Sequence, residues 1–338
     1  MFRRITPTRS LGKCFAALLV VACSAWFAHA EDVVNLTSEG GHGRVTIRGE
    51  IINYTGKTIT ITCAGGPPIH YPAARVVDIQ TVWTAGHDAG RAAISRREFD
   101  AAARHLADAN RAETRVWVRR LILTDWMLCY DALGQPERAG DLFVVLAESD
   151  PATPAYAAAP LAWFSDDRVR RVKAESWLGR HEQPAAVLLG SSYLLSTTAA
   201  AIARPSLTEL TNHPDPRIAA LAEAQLWRLD LSVATRRDVE RWDERIGQMP
   251  QDVRAGPYFV LGQAYARLGM SDRSALAYLR VPILFDGRRE LAARALVESG
   301  RVVGQAGHRD EAAWLLSEVT SWYQQTPQAS EAHQLLNR

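Results

Sequence analysis

The stretch Tyr258-Phe-Val-Leu-Gly-Gln-Ala-Tyr-Ala-Arg-Leu-Gly269 decides the fold of this chain. Tyr258, Leu261, Gly262 and Tyr265 recur at three- and four-residue spacing, the period that gathers side chains on one face of an α-helix. Gly269 then supplies a stop, because glycine adopts the left-handed backbone that ends helices at little cost. Tyr278 and Val281 resume the period on a second helix. The pattern returns as Leu296, Gly300, Val303, Gly307, Ala312, Leu316 and Val319, with Gly262 to Gly300 and Gly269 to Gly307 both 38 residues apart.

Working back toward the N-terminus, the helical period holds from about Ala85 onward. Arg97-Glu-Phe-Asp-Ala-Ala102 opens an Ala-rich amphipathic helix that continues through Leu106 and Ala109. Helices over Leu121 to Ala132 and Glu137 to Glu148 flank Leu133-Gly134-Gln135-Pro136, where Gly134 ends one helix and Pro136 fits the first turn of the next. This earlier copy carries Tyr130, Gly134, Ala139, Phe143, Leu146 and Pro151; a partial one carries Phe99, Ala102, Leu106 and Ala109. The pairs resemble tetratricopeptide repeats, helix-turn-helix units of about 34 residues. Met127 replaces the small residue of the first helix and Ser274 replaces the usual Ala, departures that bear on local packing. The resemblance implies an array whose first helices line a concave face.

Residues 150–250 are less regular. Pro151, Pro154 and Pro160 mark a connection, and helices are predicted around 166–180 and 184–200. Ser206 to Leu210, the turn Asn212-His-Pro-Asp-Pro-Arg217 and Ile218 to Leu229 resemble a HEAT-type helix pair with a stripe of Ile218, Ala222 and Leu226. Such a pair continues a solenoid, since each unit buries its apolar face against its neighbours. The ensemble also resembles uncharacterised secreted repeat proteins of planctomycete-type bacteria, which join a short β module to tetratricopeptide units. That resemblance brings no activity with it.

Ahead of the helices, residues 43–84 alternate with period two. Val45, Ile47 and Ile51, then Ile59, Ile61 and Cys63, then Ile69 and Tyr71, then Val77, Ile79, Thr81 and Trp83 predict a four-stranded antiparallel meander with turns at Tyr54–Lys57 and Gly65–Pro68. Gly49 to Ile61 resembles the bent strands of an SH3-like or Sm-like barrel, without counterparts to the RNA-binding residues of the latter. The predicted fold class is therefore mainly α, a TPR/HEAT-like helical solenoid preceded by a small β module. Its divisions are 31–84, 85–160, 161–250 and 251–338.

Residues 1–30 read as a secretory signal peptide: Arg3, Arg4, Arg9 and Lys13, the apolar run Phe15 to Ala22, then Ala28-His29-Ala30 before Glu31. Val20-Val-Ala-Cys23 also matches a bacterial lipobox, which would make Cys23 a lipid anchor. Export to the periplasm or cell envelope is expected. Without those residues 35 Lys and Arg face 37 acids, a net −2, which argues against non-specific nucleic-acid binding. No other apolar run approaches the roughly 18–20 residues that span a bilayer. Cys63 and Cys129 remain, with no spacing rule to pair them, and two buried free thiols are expected. With 338 residues, 47% hydrophobic and 22% charged, the chain has ample material for an extended core.

Catalytic signatures are missing. There is no His-Glu-x-x-His, Cys-x-x-Cys, phosphate loop or Gly-x-Ser-x-Gly elbow, and no two mature histidines share helical spacing. No catalytic residue, metal or cofactor is assigned. Trp163, Trp177, Trp227, Trp242, Trp314 and Trp322 mostly coincide with helix stripes, which predicts core packing over sugar stacking.

The function expected is a non-catalytic protein–protein interaction scaffold holding a peptide or protein partner. Transferred by repeat position, the resemblance selects Phe259, Gln263 and Arg267 from one repeat and Arg294, Val297, Arg301 and Gln305 from the next. Three arginines beside one aromatic suit a carboxylate-bearing partner, because guanidinium donates paired hydrogen bonds to carboxylates. The alternative is a cell-wall or polysaccharide-associated protein with hydrolytic activity, for which an exposed aromatic strip beside two carboxylates would speak.

Overall fold

The computed structural model describes residues 31–39, 41, 43–165, 168–285 and 287–337. Residues 1–30, read above as a signal peptide, and with them Cys23, lie outside the described residues. Five strands and fourteen α-helices follow one another among them, the strands first.

The strands are β1 (Asp32–Thr37), β2 (Arg44–Tyr54), β3 (Thr58–Thr62), β4 (Ile69–Pro72) and β5 (Val76–Gln80). They form one antiparallel sheet in the order β4-β3-β2-β1-β5. Two expectations are corrected here. The meander has a fifth strand, because β1 inserts between β2 and β5, pairing Val34 with Ile47 and with Ile79. The sheet is also open: β4 and β5 are its two edges, so no barrel closes. It packs on helices instead. Val34, Leu36, Ile51, Ile59 and Ile61 share a core with Phe99, Leu106, Trp117 and Ile122, which covers the face that about forty residues of sheet cannot cover alone. The last strand stops at Gln80. Beyond it, Trp83 packs edge-on against His87, with ring centroids 4.8 Å apart.

The helices are α1 (Ala85–Ser95), α2 (Phe99–Ala112), α3 (Val116–Ala132), α4 (Pro136–Ser149), α5 (Arg171–Leu178), α6 (Pro184–Leu194) and α7 (Ala200–Leu210). They continue as α8 (Pro216–Asp230), α9 (Arg236–Gln248), α10 (Ala255–Arg267), α11 (Ser271–Leu284), α12 (Arg289–Gln305), α13 (Arg309–Trp322) and α14 (Pro327–Leu336). The three turns singled out in the sequence share one geometry. Gly134, Gly269 and Gly307 have φ of +64°, +70° and +98°. In each, the amide after the glycine donates to the carbonyl five residues back: Gln135 to Tyr130, Met270 to Tyr265, His308 to Val303, at 2.9–3.1 Å. Repeated Schellman turns of this kind fix how each second helix folds back on its first.

Small residues sit where helices cross. A Cβ on Gly262 would lie 2.6 Å from the Tyr278 ring, so α10 and α11 approach closely only because that position is glycine. The substituted Ser274 is fully buried and donates from Oγ to the Gly262 carbonyl at 2.8 Å, which satisfies its hydroxyl at the same crossing. Helix α6 is buried on every side from Ala185 to Leu194, which explains why it shows no amphipathic stripe.

The array also returns on itself. Helix α12 packs against α3. Just before α12, buried Arg288 donates from Nε to Asp131 at 3.1 Å and from its guanidinium to the Ala159 carbonyl. Gln325 donates to the Arg97 carbonyl at 2.8 Å, and the Arg97 guanidinium stands 4.5 Å over the Trp322 ring.

Cys63 and Cys129 are both free, Cys129 buried and Cys63 half-buried. Burial, and then the negative charge of Asp125, pushes the Cys129 thiol up to about 12. Iodoacetamide at pH 8 should therefore label Cys63 in the native chain far faster than Cys129, as read by peptide mass mapping; equal labelling would contradict the burial. The folded chain holds the Cys129 proton more tightly than the unfolded chain. Its stabilising contribution is thus complete below the ordinary thiol value of about 8.5 and is lost as pH rises from there through about 12.

Candidate functional site

The seven residues chosen from repeat positions divide into four groups: buried, half-buried, engaged within the chain and, for Gln305, exposed. Phe259 and Val297 are fully buried, each with 0% exposure. Phe259 packs between Phe164 and Tyr278, at centroid distances of 5.9 and 5.3 Å. Neither can be an exposed anchor, because the faces that carry them are covered by the neighbouring segments of the array. Gln263 is half-buried, its Oε1 shielded from solvent without a donor.

The arginines are engaged within the chain. Arg267 donates to the carbonyls of Ser232 and Ala234. Arg294 reaches Glu331 at 2.8 Å and Glu298 at 2.5 Å, and its guanidinium lies 5.5 Å from the Phe164 ring centroid. Arg301 pairs with the other oxygen of Glu331. One carboxylate from α14 thus bridges the two arginines that the sequence offered to an acidic partner. The attraction of this face for carboxylate is satisfied in part by the chain itself.

What stays open lies one turn further along. Arg301 and Gln305 line a groove of about 570 Å³ between α12, α13 and α14. Gly300 and Gly304, one turn apart on α12, leave its wall without side chains. Half-buried Leu335 and exposed Leu336 supply most of its apolar surface, over buried Ala312 and Leu316. Its charged lining is Arg301 and Arg309, with no carboxylate. Arg309 is exposed and has no ion-pair partner among the described residues. Arg309 sits at the start of a second helix, a class of helix that repeat position does not place on the concave face. The i,i+4 glycines were the available signal.

A larger cleft of about 940 Å³ lies between the β2–β3 turn, the end of α4, the start of α6 and the α7–α8 turn. Its walls are tied together. Gly56 donates its amide to Asp150 at 2.7 Å. Arg217 donates to the carbonyls of Pro151, Ala152 and Thr153 and to both oxygens of Asp215. Burial alone would raise the Asp215 carboxyl, but the hydrogen bonds and charge of Arg217 outweigh it and hold that group below the ordinary carboxylate range.

Trp163, Trp177 and Trp227 are buried, and half-buried Trp242 stacks on Trp227 at 5.2 Å. Trp314 and Trp322 are exposed on α13, and Trp322 carries the Arg97 guanidinium. No helix among the described residues is long and apolar enough to cross a membrane.

The fold and these two concave sites define the chain by architecture: a mainly helical protein of paired helices with an open N-terminal sheet. No protein-family model matches it, and no curated protein matches its sequence.

Proposed function

We propose that this chain is a non-catalytic interaction scaffold of the tetratricopeptide-like solenoid class, exported to the cell envelope, that seats an acidic amphipathic segment of a partner protein. The groove between α12, α13 and α14 carries the reading: an apolar trough lined by two guanidinium groups and no carboxylate. Arg301 is shared with Glu331, and Arg309 has no ion-pair partner among the described residues. Helix-in-groove recognition needs an apolar surface for the anchors and complementary charge at the rim for register. Glu331 shows the chemistry from within, since a helix-borne carboxylate already satisfies Arg294 and Arg301. The export part of the reading rests on the basic, apolar and small-residue order of the first thirty residues.

A helix-forming probe peptide with Leu along one face and Glu elsewhere tests this, beside a counterpart carrying Lys for Glu. The Glu peptide should bind the full chain, more weakly as salt rises. Arg309→Glu should weaken it about tenfold, the scale of roughly 1.4 kcal/mol that a reversed rim charge can reach. Ala313→Trp, at an exposed groove position, should block the trough. Neither change touches a buried residue, so the melting temperature should stay near that of the parent. Equal affinity for both peptides would remove the basis for the proposal.

A further inference from the structure

We propose that the cleft at the junction of the β2–β3 turn and the helical array is a second binding site, opposite in charge preference, that takes a short basic segment of a partner chain. The cleft is the larger of the two concave sites, about 940 Å³, and it lies where a sheet meets a helical body, a position that ligand sites favour. Exposed Pro151, Pro214 and Pro216 supply its apolar surface, over the buried side chains of Val144, Ala147, Ala185 and Ile218.

The walls are fixed before any ligand arrives. A Cβ on Gly56 would lie 1.9 Å from the Ala152 carbonyl oxygen, so the hairpin tip rests directly on the connection after α4. Arg217 pins that same connection to the start of α8. Pro184, Pro214, Pro216 and Pro250 stiffen the remaining rim. A site held this way loses little conformational freedom on binding.

Charge then selects the occupant. Arg217 and Asp215 neutralise each other, and the donors of Arg217 are spent on that carboxylate and on carbonyls. Glu148, in the last turn of α4, and Glu182, just before α6, are exposed and have no ion-pair partner among the described residues. Lys57 is the corresponding unpaired cation. Two carboxylates against one ammonium leave the lining net negative, so a guest carrying cationic side chains on an apolar backbone neutralises it. The groove at α12–α14 has the reverse composition, which keeps the two sites distinguishable.

Fluorescence anisotropy with the full chain and two labelled octapeptides of Pro and Leu, one with two Arg and one with two Glu, provides the test. The Arg peptide should bind at least tenfold more tightly than the Glu peptide, and the difference should shrink with salt. Glu148→Gln with Glu182→Gln should remove the preference, and Glu148→Lys with Glu182→Lys should reverse it. Ala313→Trp, which blocks the other groove, should leave the affinity of the Arg peptide unchanged. Both glutamates are exposed, so each double variant should retain the parental melting temperature, and the Gln pair serves if the Lys pair does not fold. No preference in the parent, or a preference that survives the Gln pair, overturns the assignment. Loss of Arg-peptide binding in Ala313→Trp overturns it too, because the probe would then be reading the C-terminal groove.

Discussion

Arg288→Ala is expected to cost about 3–5 kcal/mol of folding stability, among the largest losses from any single change in this chain. Arg288 and Asp131 are 157 positions apart yet meet at 3.1 Å, and their side chains are only 9% and 5% exposed. Removing the guanidinium leaves the Asp131 carboxylate buried without its counter-charge, and Asp131 Oδ2 already has no donor. The Ala159 carbonyl loses its partner as well. Replacing both members, Arg288→Met with Asp131→Leu, should recover much of the loss, because no buried charge is then left unpaired. Equilibrium urea denaturation of the two variants and the parent measures this. A loss below about 1 kcal/mol for Arg288→Ala would mean that the pair is solvated, as surface ion pairs are.

Tyr265→Ala is the second large effect, again about 3–5 kcal/mol, as for other buried aromatics. Tyr265 is 2% exposed on α10, and its hydroxyl donates to Asp243 on α9 at 3.1 Å. The neighbouring Gln263→Ala should cost far less, since that side chain is only half-buried and its oxygen has no donor to lose. The contrast tests register: a one-position slip along α10 would equalise the two losses in the same denaturation experiment.

How far the sequence foretells this structure depends on the range of the interaction. Turns and helix crossings are local, and Gly134, Gly269 and Gly307 could be read directly because the chemistry of a helix stop is contained in a few residues. Strand β1 was missed. Its buried face is Asp32, Val34 and Leu36, only two of them apolar, and it follows at once on an apolar N-terminal segment that reads as targeting. Barrel closure failed as an expectation because alternation specifies which face is buried and says nothing of what buries it. Here α1–α3 do.

The candidate site was legible in part. Arg294, Arg301 and Gln305 fall on or beside an accessible face of α12, as their repeat position suggested, while Phe259 and Val297 do not. The period places a residue on a helix face, but only the packed neighbours decide whether that face meets solvent. Phe164, from the irregular connection before α5, covers Phe259 and also stacks under Arg294. Glu331 could not be foreseen as the partner of two arginines because it lies 37 and 30 residues beyond them on another helix. The pair Glu148 and Glu182 was invisible for the same reason. It becomes a site only when the hairpin, α4 and α6 converge.

The most direct test of the central claim is the location of the acidic probe on the chain. A Glu-rich, Leu-faced peptide carrying a photoreactive benzophenone should crosslink, on irradiation with the full chain, to residues around Gly304, Ala313 and Leu335. Excess unlabelled peptide should suppress those crosslinks, and Ala313→Trp should abolish them. Crosslinks concentrated instead at the β2–β3 turn and the start of α8, or scattered along the helices and indifferent to Ala313→Trp, would contradict the account.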